Sequence, residues 1–225
     1  FDVPLYKIAS FEIVDLPLIR YAASTGKPII VSTGMATVDE ISRAVDVAVE
    51  SGAETITLLR TNSGYPARVS EMNLKAIPFM REKWDLPVGL SDHTLGSTSA
   101  VVAAALGATV FEKHLTVSRA DGGPDAPFSA EPHEFAAYVE AVRDARHSLG
   151  EVRFGPSDRE LASITLRPSL RAVADIKQGE PFSQDNVRSV RPGGGLEPEA
   201  IFQILGRAAN QTIPVGSAIL WEHIA

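Results

Sequence analysis

Cysteine is absent from the sequence. Its absence excludes disulfide bonds and thiolate metal sites, so any metal must be held by His, Asp, Glu or water. Positive charge is also scarce, because 21 Lys and Arg residues stand against 28 Asp and Glu residues and give a net charge of -7. This balance argues against a nucleic-acid-binding surface. An anionic substrate would need a local cluster of Lys, Arg and backbone N–H groups.

Long apolar runs are missing as well, since no stretch approaches the ~20 apolar residues of a membrane span. The apolar run 100–105 is short and ends at Gly107, so it predicts a buried helix. The first residue is Phe1, and no signal-peptide pattern follows it. We expect a cytoplasmic protein with neither a membrane nor a nucleic acid as partner, and a chain that is a fragment of a longer one.

One pattern recurs along residues 1–149, in which a short apolar, β-branched run precedes polar residues, an amphipathic helix and then Gly. The runs are almost continuously apolar, which is typical of strands in a parallel sheet covered by helices. Their spacing fits βα units. The five predicted strands cover residues 5–9, 28–32, 55–59, 87–90 and 109–112.

Several helix boundaries are marked by local sequence. Thr37 and Glu40 form a capping-box pattern at the start of the second predicted helix. Pro78 predicts a kink or a late start in the helix assigned to 71–84. The longest helix is predicted at about 133–149.

The character of the chain changes after residue 149. Residues 150–165 contain Gly155, Pro156 and few apolar side chains, which predicts a linker. Residues 166–225 hold short β-type runs separated by turns, which predicts a compact β-rich domain. We therefore predict a barrel domain at 1–149, a linker at 150–165 and a small domain at 166–225.

Polar residues lie at or just past the carboxyl ends of all five predicted strands, where parallel α/β barrels assemble their active sites. They are Lys7, Ser10, Ser32, Thr33, Arg60, Thr61, Asn62, Ser63, Ser91, Asp92, His93, Glu112, Lys113 and His114. Most loops begin with polar residues, so a polar residue after one strand needs no functional explanation. Polar residues after all five strands favour a clustered site. Hydroxyl, amide and ammonium groups of this kind suit a phosphate and a carboxylate.

Two histidines favour a metal site. His93 and His114 follow neighbouring predicted strands, so their side chains are expected to converge at the mouth of the barrel. Neutral imidazole with oxygen ligands suits Mn, Zn or, less well, Mg. Two such residues are a weak signal alone, since a core His with satisfied hydrogen bonds is the more common outcome. The histidines at 133, 147 and 223 are interpreted as surface or structural.

Several motifs resemble the sialic acid synthases in order and spacing. They are KIAS at 7–10, STGM at 32–35, YP at 65–66, GLSDHT at 89–94 and EKH at 112–114. The segment 119–132 resembles that family's loop after the last strand, and residues 166–225 resemble its C-terminal antifreeze-like (SAF) domain. Within the family, ASFEI at 9–13 and the Phe128-Ser129 pair resemble pseudaminic acid synthases.

The resemblance implies an α/β fold, namely a (β/α)8 barrel followed by a small SAF domain of the β-clip type. About five βα units would lie in this chain, and the first three would precede Phe1. The implied reaction condenses phosphoenolpyruvate with an amino-sugar aldehyde and releases phosphate. The implied cofactor is a divalent metal, most often Mn and otherwise Mg or Co.

The resemblance also implies roles by position. His93 and His114 match metal ligands, and Glu112 and Asp125 match polar catalytic residues near the metal and the sugar. The positions that match contacts to phosphoenolpyruvate are Lys7, Ser10, Ser32, Asn62 and Ser91. Arg191 matches an arginine that completes a neighbouring subunit's sugar site, which implies a domain-swapped homodimer.

Two alternatives to a pseudaminic acid synthase remain open. The segment RTNSGY at 60–65 departs from the pseudaminic pattern, and its Asn62 is closer to the neuraminate pattern, so an N-acetylneuraminate or legionaminate synthase is the first. The second is a truncated, non-catalytic binding or assembly module, because a half-built barrel would hold a half-built site. For the same reason we expect this chain alone to be inactive.

Overall fold

The computed structural model describes residues 3–225. The chain forms two compact units, Phe1–Glu151 and Val152–Ala225, and each is described by itself. Among the helices formed by the described residues, none is both long enough and apolar enough to cross a membrane.

The first unit is built on a five-stranded sheet whose order follows the chain. The strands are β1 (Tyr6–Ile8), β2 (Ile29–Ser32), β3 (Ile56–Thr61), β4 (Val88–Asp92) and β5 (Phe111–Lys113). Each strand pairs in parallel with the next, as βα units require. The sheet curls, because Lys7 on β1 and Glu112 on β5 approach to 3.5 Å across it. The predicted α/β part-barrel is confirmed.

Five helices accompany the sheet, and they are α1 (Leu16–Ala23), α2 (Val38–Glu50), α3 (Ala76–Trp84), α4 (Thr98–Ala105) and α5 (Pro132–Leu149). The predicted capping box of α2 forms, since Thr37 Oγ1 accepts from the Glu40 N–H and the Glu40 carboxylate accepts from the Thr37 N–H. The late start of α3 is also observed. Its first residue is Ala76, which places Pro78 in the first turn, where a missing N–H has no helical partner to lose.

The strands β3 and β4 run further than predicted, to Thr61 and Asp92 in place of residues 59 and 90. The prediction ended these two strands at the last residue of the apolar run. That criterion was wrong here, because Thr61, Ser91 and Asp92 are all buried within the sheet. The polar residues that follow the apolar run are therefore strand residues, and their side chains alternate between the two faces.

The core of the first unit is aliphatic, with Ile19, Leu58, Ile77 and Leu90 fully buried. Gly89 lets the strands approach at its centre. A Cβ at this position would lie 2.2 Å from the Val110 carbonyl oxygen, closer than real contacts allow. The close approach fixes β4 against its neighbours just before the residues that carry polar side chains.

The second unit is a small β-rich fold, as predicted. Its paired strands are β6 (Ser169–Ala172) and β7 (Val187–Val190), which run antiparallel. A short helix, α6 (Ile201–Ile204), follows a 3-10 turn at Pro198–Ala200. The fully buried side chains of its core include Leu170, Ile176, Phe182, Ile204 and Ile219. A further 3-10 helix, Leu161–Leu166, lies at the end of the segment predicted to be a linker.

Candidate active site

The polar strand ends of the first unit form two clusters on opposite faces of the sheet. On β4, Ser91 and Asp92 point to opposite faces because side chains alternate along a strand. Their register partners on β5 are Glu112 and Lys113 respectively. The inner cluster consists of Lys7, Ser91, His93, Glu112 and His114. The outer pair consists of Asp92 and Lys113.

Glu112 is the centre of the inner cluster. Its Oε1 accepts a hydrogen bond from Ser91 Oγ at 2.7 Å, and its Oε2 lies 3.5 Å from Lys7 Nζ. The Lys7 and Glu112 side chains are 29% and 40% exposed, so the ion pair lies at an open surface where solvent weakens it. An ammonium and a carboxylate that are close but not sealed from water remain available to a ligand.

The two histidines lie next to this carboxylate, with ring centroids 5.2 Å apart. His93 is buried, and its Nδ1 lies 2.7 Å from the Asn62 carbonyl oxygen. A carbonyl can only accept, so Nδ1 carries the hydrogen and Nε2 keeps its lone pair. His114 is more open, and its Nδ1 lies 3.5 Å from Asp125 Oδ2.

Burial lowers the pKa of His93 below its ordinary value, an effect larger than the opposing hydrogen bond to Asn62. A neutral imidazole with a fixed tautomer is the form that binds a metal. Within residues 3–225, no group of three or more His, Asp or Glu side chains is arranged to hold an ion. The donors therefore fit a metal that takes two imidazoles and completes its coordination with water or substrate oxygen, and they do not fit a closed structural site.

Two aromatic side chains enclose the histidines. The Tyr65 ring lies 4.3 Å from the His93 ring and 5.3 Å from the Phe128 ring, between centroids. Phe128 in turn meets the edge of His114 at 5.1 Å. Tyr65 remains 44% exposed, and burial raises its pKa, with the Asp125 and Glu112 charges acting in the same direction. The hydroxyl therefore stays protonated at neutral pH and can donate a hydrogen bond.

Further serine hydroxyls, those of Ser10, Ser32 and Ser63, lie at or just past the carboxyl ends of β1, β2 and β3, and the first and last of them meet at Gly34. Ser10 Oγ accepts from the Gly34 N–H at 3.1 Å. A Cβ at Gly34 would lie 2.7 Å from Ser10 Oγ and 2.3 Å from Ser63 Oγ, so both hydroxyls converge on the same backbone. The hydroxyls of Ser32 and Ser63 are buried and have no hydrogen-bond partner among the described residues. Buried hydroxyls without partners are costly, and a bound anion would satisfy them.

The outer pair, Asp92 and Lys113, joins the ends of β4 and β5 on the opposite face of the sheet. Lys113 Nζ lies 3.3 Å from Asp92 Oδ2 and donates to the Thr94 carbonyl at 2.6 Å, and both charged side chains are almost wholly buried. Asp92 Oδ1 accepts from the Thr94 N–H and hydroxyl. The Lys113 ammonium also faces the Tyr138 ring at 5.0 Å. These contacts join β4, β5 and α5 directly behind His93.

Comparison with known proteins decides the family. The NeuB family model matches residues 1–154, and the SAF domain model matches residues 167–225. The chain belongs to the NeuB family. The predicted resemblance to the sialic acid synthases and their C-terminal SAF domain is therefore confirmed.

Relatives of this NeuB-family chain include three kinds of synthase. A pseudaminic acid synthase of Campylobacter jejuni is 41% identical over 97% of this chain and 64% of its own length. A N,N'-diacetyllegionaminic acid synthase of Legionella pneumophila is 37% identical over 97% of this chain and 63% of its own length. Human N-acetylneuraminate-9-phosphate synthase is 30% identical over 99% of this chain and 63% of its own length. The chain thus spans just under two thirds of the length of these relatives.

Solved structures agree with this assignment. An N-acetylneuraminic acid synthetase from Leptospira borgpetersenii has a TM-score of 0.66 and 36% identity, with 72% of this chain and 57% of that one covered. The spore coat polysaccharide biosynthesis protein SpsE of Bacillus subtilis has a TM-score of 0.62 and 29% identity, with 98% and 67% covered.

Most of the residues predicted for the site meet in the NeuB-family unit, but Asn62 is placed differently from the expectation. Its amide nitrogen donates to the Glu71 carbonyl and its amide oxygen accepts from the Gly64 N–H, so the side chain is engaged within its own loop. It is the Asn62 backbone that reaches the site, through His93. Asp125 lies at the rim with its side chain 61% exposed. Arg191 belongs to the second unit and is exposed on a turn there.

Sequence reasoning counted Ser63, Asp92 and Lys113 among the polar strand-end residues and Tyr65 within a family motif, but it gave none of the four a specific role. A signal for the outer pair was present, because a charged residue directly precedes each histidine in SDH and EKH. Strand alternation turns such residues away from the site and toward each other. Tyr65 and Ser63 lie in a loop without periodicity, so their contacts depend on a backbone path that the sequence pattern does not specify.

Proposed function

We propose that this chain is the larger part of a nonulosonic acid synthase of the pseudaminic acid type. Its reaction would join phosphoenolpyruvate to an open-chain diacetamido-trideoxy hexose and release phosphate. The observation that carries the proposal is the inner cluster, in which an ammonium, a carboxylate and two imidazoles meet beside unpartnered hydroxyls. The family membership and the named activities of the relatives support it.

Phosphoenolpyruvate would bind next to Lys7 and the serine hydroxyls. Lys7 supplies a mobile point charge there. Ser10, Ser32 and Ser63 supply hydroxyl donors, and the last two lack partners within the described residues. Ser91 already donates to Glu112, so it would donate to the ligand only by releasing that bond. Together these groups would hold the phosphate and the carboxylate and so orient carbon 3 of the enol toward the aldehyde.

His93 and His114 would hold the divalent metal, for which Mn is the first candidate and Mg or Co the alternatives. The Asn62 carbonyl fixes the His93 tautomer, and Phe128 packs on the His114 ring, so both imidazoles are oriented by the protein. When bound, the metal would supply Lewis-acid stabilisation of the charge that develops on the aldehyde oxygen.

The condensation forms one carbon–carbon bond and replaces the bond from carbon 2 to the phosphate oxygen with a bond to the oxygen of water. Carbon 3 of phosphoenolpyruvate attacks the aldehyde carbon, and the aldehyde oxygen takes up a proton. Water adds at carbon 2, and the adduct expels phosphate to leave the keto acid. Glu112 accepts from Ser91 and lies 3.5 Å from Lys7, and this carboxylate would take up the proton that the water loses. Asp125 at the rim would contact the sugar.

The acceptor sugar would lie against Tyr65 and Phe128, whose rings offer an apolar surface beside the histidines. A second candidate acceptor belongs to the legionaminic series, because the Legionella pneumophila relative is 37% identical over almost the same region. Both candidates use the same chemistry and differ in the stereochemistry that this surface must accept.

The assembly we propose is a domain-swapped homodimer, in which Arg191 of one subunit reaches the sugar site of the other. Its support is the SAF match at residues 167–225 and the exposure of Arg191 on a turn. An arginine suits this role because its guanidinium can make paired hydrogen bonds with sugar or carboxylate oxygens.

The test is phosphate release by the full-length protein from phosphoenolpyruvate with a panel of acceptor sugars. We expect the highest kcat/KM with the diacetamido-trideoxy hexose of the pseudaminic series. Preference for the legionaminic or neuraminic acceptor would replace the substrate assignment while keeping the chemistry. No phosphate release with any acceptor and any of Mn, Mg or Co would favour the non-catalytic binding module instead.

A further inference from the structure

The second unit contains a turn, residues 191–195, that is held by one arginine from strand β6. Arg171 Nε donates to the Pro192 carbonyl at 3.0 Å, and its Nη2 donates to the Gly193 carbonyl at 2.8 Å. Its Nη1 donates to the Gly216 carbonyl at 2.9 Å. One guanidinium therefore joins the turn to the loop at Gly216 through three carbonyl groups.

The backbone of the turn also packs closely against strand β6. A Cβ at Gly195 would lie 2.5 Å from the Leu170 carbonyl oxygen, so the chain passes directly over β6. Ser169 Oγ adds a bond to the Pro192 carbonyl, and the Gly193 N–H is bonded to the Thr165 carbonyl at 2.8 Å. The backbone of the turn is thus fixed from several sides, but glycine alone gives it no stiffness of its own.

The residue that this framework presents is Arg191. It is exposed and makes no hydrogen bond or ion pair with any residue from 3 to 225. A long side chain that starts from a fixed backbone can still search a small volume, whereas one on a loose turn searches a large one. Fixing the backbone lowers the entropy that Arg191 would lose on meeting a ligand.

We propose that Arg171 is a positioning residue, which holds the turn 191–195 so that Arg191 is presented to the acceptor sugar. The inference rests on the proposed function of Arg191. It concerns a different residue, in contact with the turn and not with the substrate. Only arginine suits the role, because a lysine ammonium is a single point and cannot bridge three carbonyl groups in a fixed fork.

The chain provides a matched control on the neighbouring strand. Arg188 on β7 is the register partner of Arg171 on β6, so both side chains lie on the same face. Arg188 is exposed and forms no hydrogen bond with the described part of the chain. Replacing Arg188 removes one positive charge from the same pair of strands, as replacing Arg171 does, but leaves the hydrogen bonds to the turn intact.

The kinetic experiment uses the full-length protein and its Arg171→Met, Arg171→Lys and Arg188→Met variants. For Arg171→Met we expect the KM for the acceptor sugar to rise about tenfold, because apparent affinity falls with the fraction of molecules in which the turn is in place. The KM for phosphoenolpyruvate and kcat should stay close to wild type. Arg171→Lys should show a similar but smaller rise, and Arg188→Met none.

The Arg191→Ala background separates positioning from general stability. If Arg171 acts through Arg191, adding Arg171→Met to Arg191→Ala should change the acceptor KM no further. Defects that multiply in the double variant would overturn the proposal, because Arg171 would then act elsewhere. A fall in kcat with unchanged KM values would do the same, since it would indicate only a smaller folded fraction.

A measurement independent of activity keeps the two hypotheses apart. Hydrogen exchange of the Gly193 amide, which is bonded to the Thr165 carbonyl, should be faster in Arg171→Met than in wild type, while Arg188→Met matches wild type. Unchanged exchange would refute the claim that Arg171 holds the turn, whatever the kinetics. If the wild-type protein releases no phosphate with any acceptor, the proposed function fails, and the exchange result alone then decides whether Arg171 fixes the turn. Should Arg171→Met not fold, Arg171→Lys takes its place in each comparison.

Discussion

Replacing Lys113 by Met would leave a buried carboxylate without its cation. Lys113 lies 3.3 Å from Asp92, and the two side chains are 5% and 0% exposed. Methionine fills a similar volume, so little cavity is created and the main change is electrostatic. The Thr94 carbonyl also loses the ammonium that donates to it.

The expected cost follows from this geometry. Breaking a buried ion pair by removing one partner costs about 3–5 kcal/mol, because a buried charge is left uncompensated. Asp92 keeps two hydrogen bonds from Thr94 on its Oδ1, which offset part of the loss. We therefore expect the free energy of unfolding of the first unit to fall by about 3 kcal/mol, the lower end of the range.

Urea unfolding provides the assay. The chain has two tryptophans, Trp84 in the first unit and Trp221 in the second, so a Trp221→Phe background makes the fluorescence report the first unit. The control is Lys75→Met, an exposed lysine whose loss should change the stability by no more than about 0.5 kcal/mol.

Two results would refute the reasoning. The first is a Lys113→Met chain within about 1 kcal/mol of wild type, since that would mean that the Asp92 charge does not depend on the lysine for its stabilisation. The second comes from the Lys113→Met, Asp92→Leu double variant, which removes both charges. It should recover most of the lost stability, and a double variant less stable than Lys113→Met would show that packing, not charge, dominates at this site.

Four further predictions concern the proposed reaction in the full-length protein. Mn²⁺ should raise the melting temperature, and His93→Ala and His114→Ala should each abolish the rise, so an unchanged shift in both would remove the metal assignment. Lys7→Ala should raise the KM for phosphoenolpyruvate by at least about tenfold and leave the KM for the sugar nearly unchanged. A higher KM for the sugar alone would contradict an anion-binding role for Lys7. Gly34→Ala should also raise the KM for phosphoenolpyruvate, because its Cβ would enter the space of the Ser10 and Ser63 hydroxyls. An unchanged KM would show that phosphoenolpyruvate binding does not need these hydroxyls. Mixed Arg191→Ala and His93→Ala subunits should regain activity after exchange, and no recovery despite exchange shown by mass spectrometry would mean that Arg191 does not act across subunits.

The fold followed from the sequence wherever a local pattern decided the outcome. Five apolar runs gave the five parallel strands, and the Thr37 and Glu40 pair located the start of α2. The convergence of His93, His114 and Glu112 also followed, because parallel strands bring their carboxyl ends to one edge.

What could not be predicted depends on contacts between distant parts of the chain. Arg171 and Gly216 are far apart in sequence, and no local pattern indicates that a guanidinium bridges them. The placement of the Asn62 amide depends on the path of its loop past Glu71. Residue type identified Asn62 as a ligand-binding candidate, but hydrogen-bond competition within the loop decides where its side chain goes.

The oxygen that orients His93 belongs to the backbone of Asn62 and not to its side chain. Any amino acid at position 62 supplies the same carbonyl, provided that the loop keeps its path. A substitution at position 62 therefore acts on the imidazole only indirectly, through loss of the hydrogen bonds to Glu71 and Gly64 that hold the loop. The orientation of this proposed metal ligand is thus a property of the path of the loop, and not of the residue type that supplies the carbonyl.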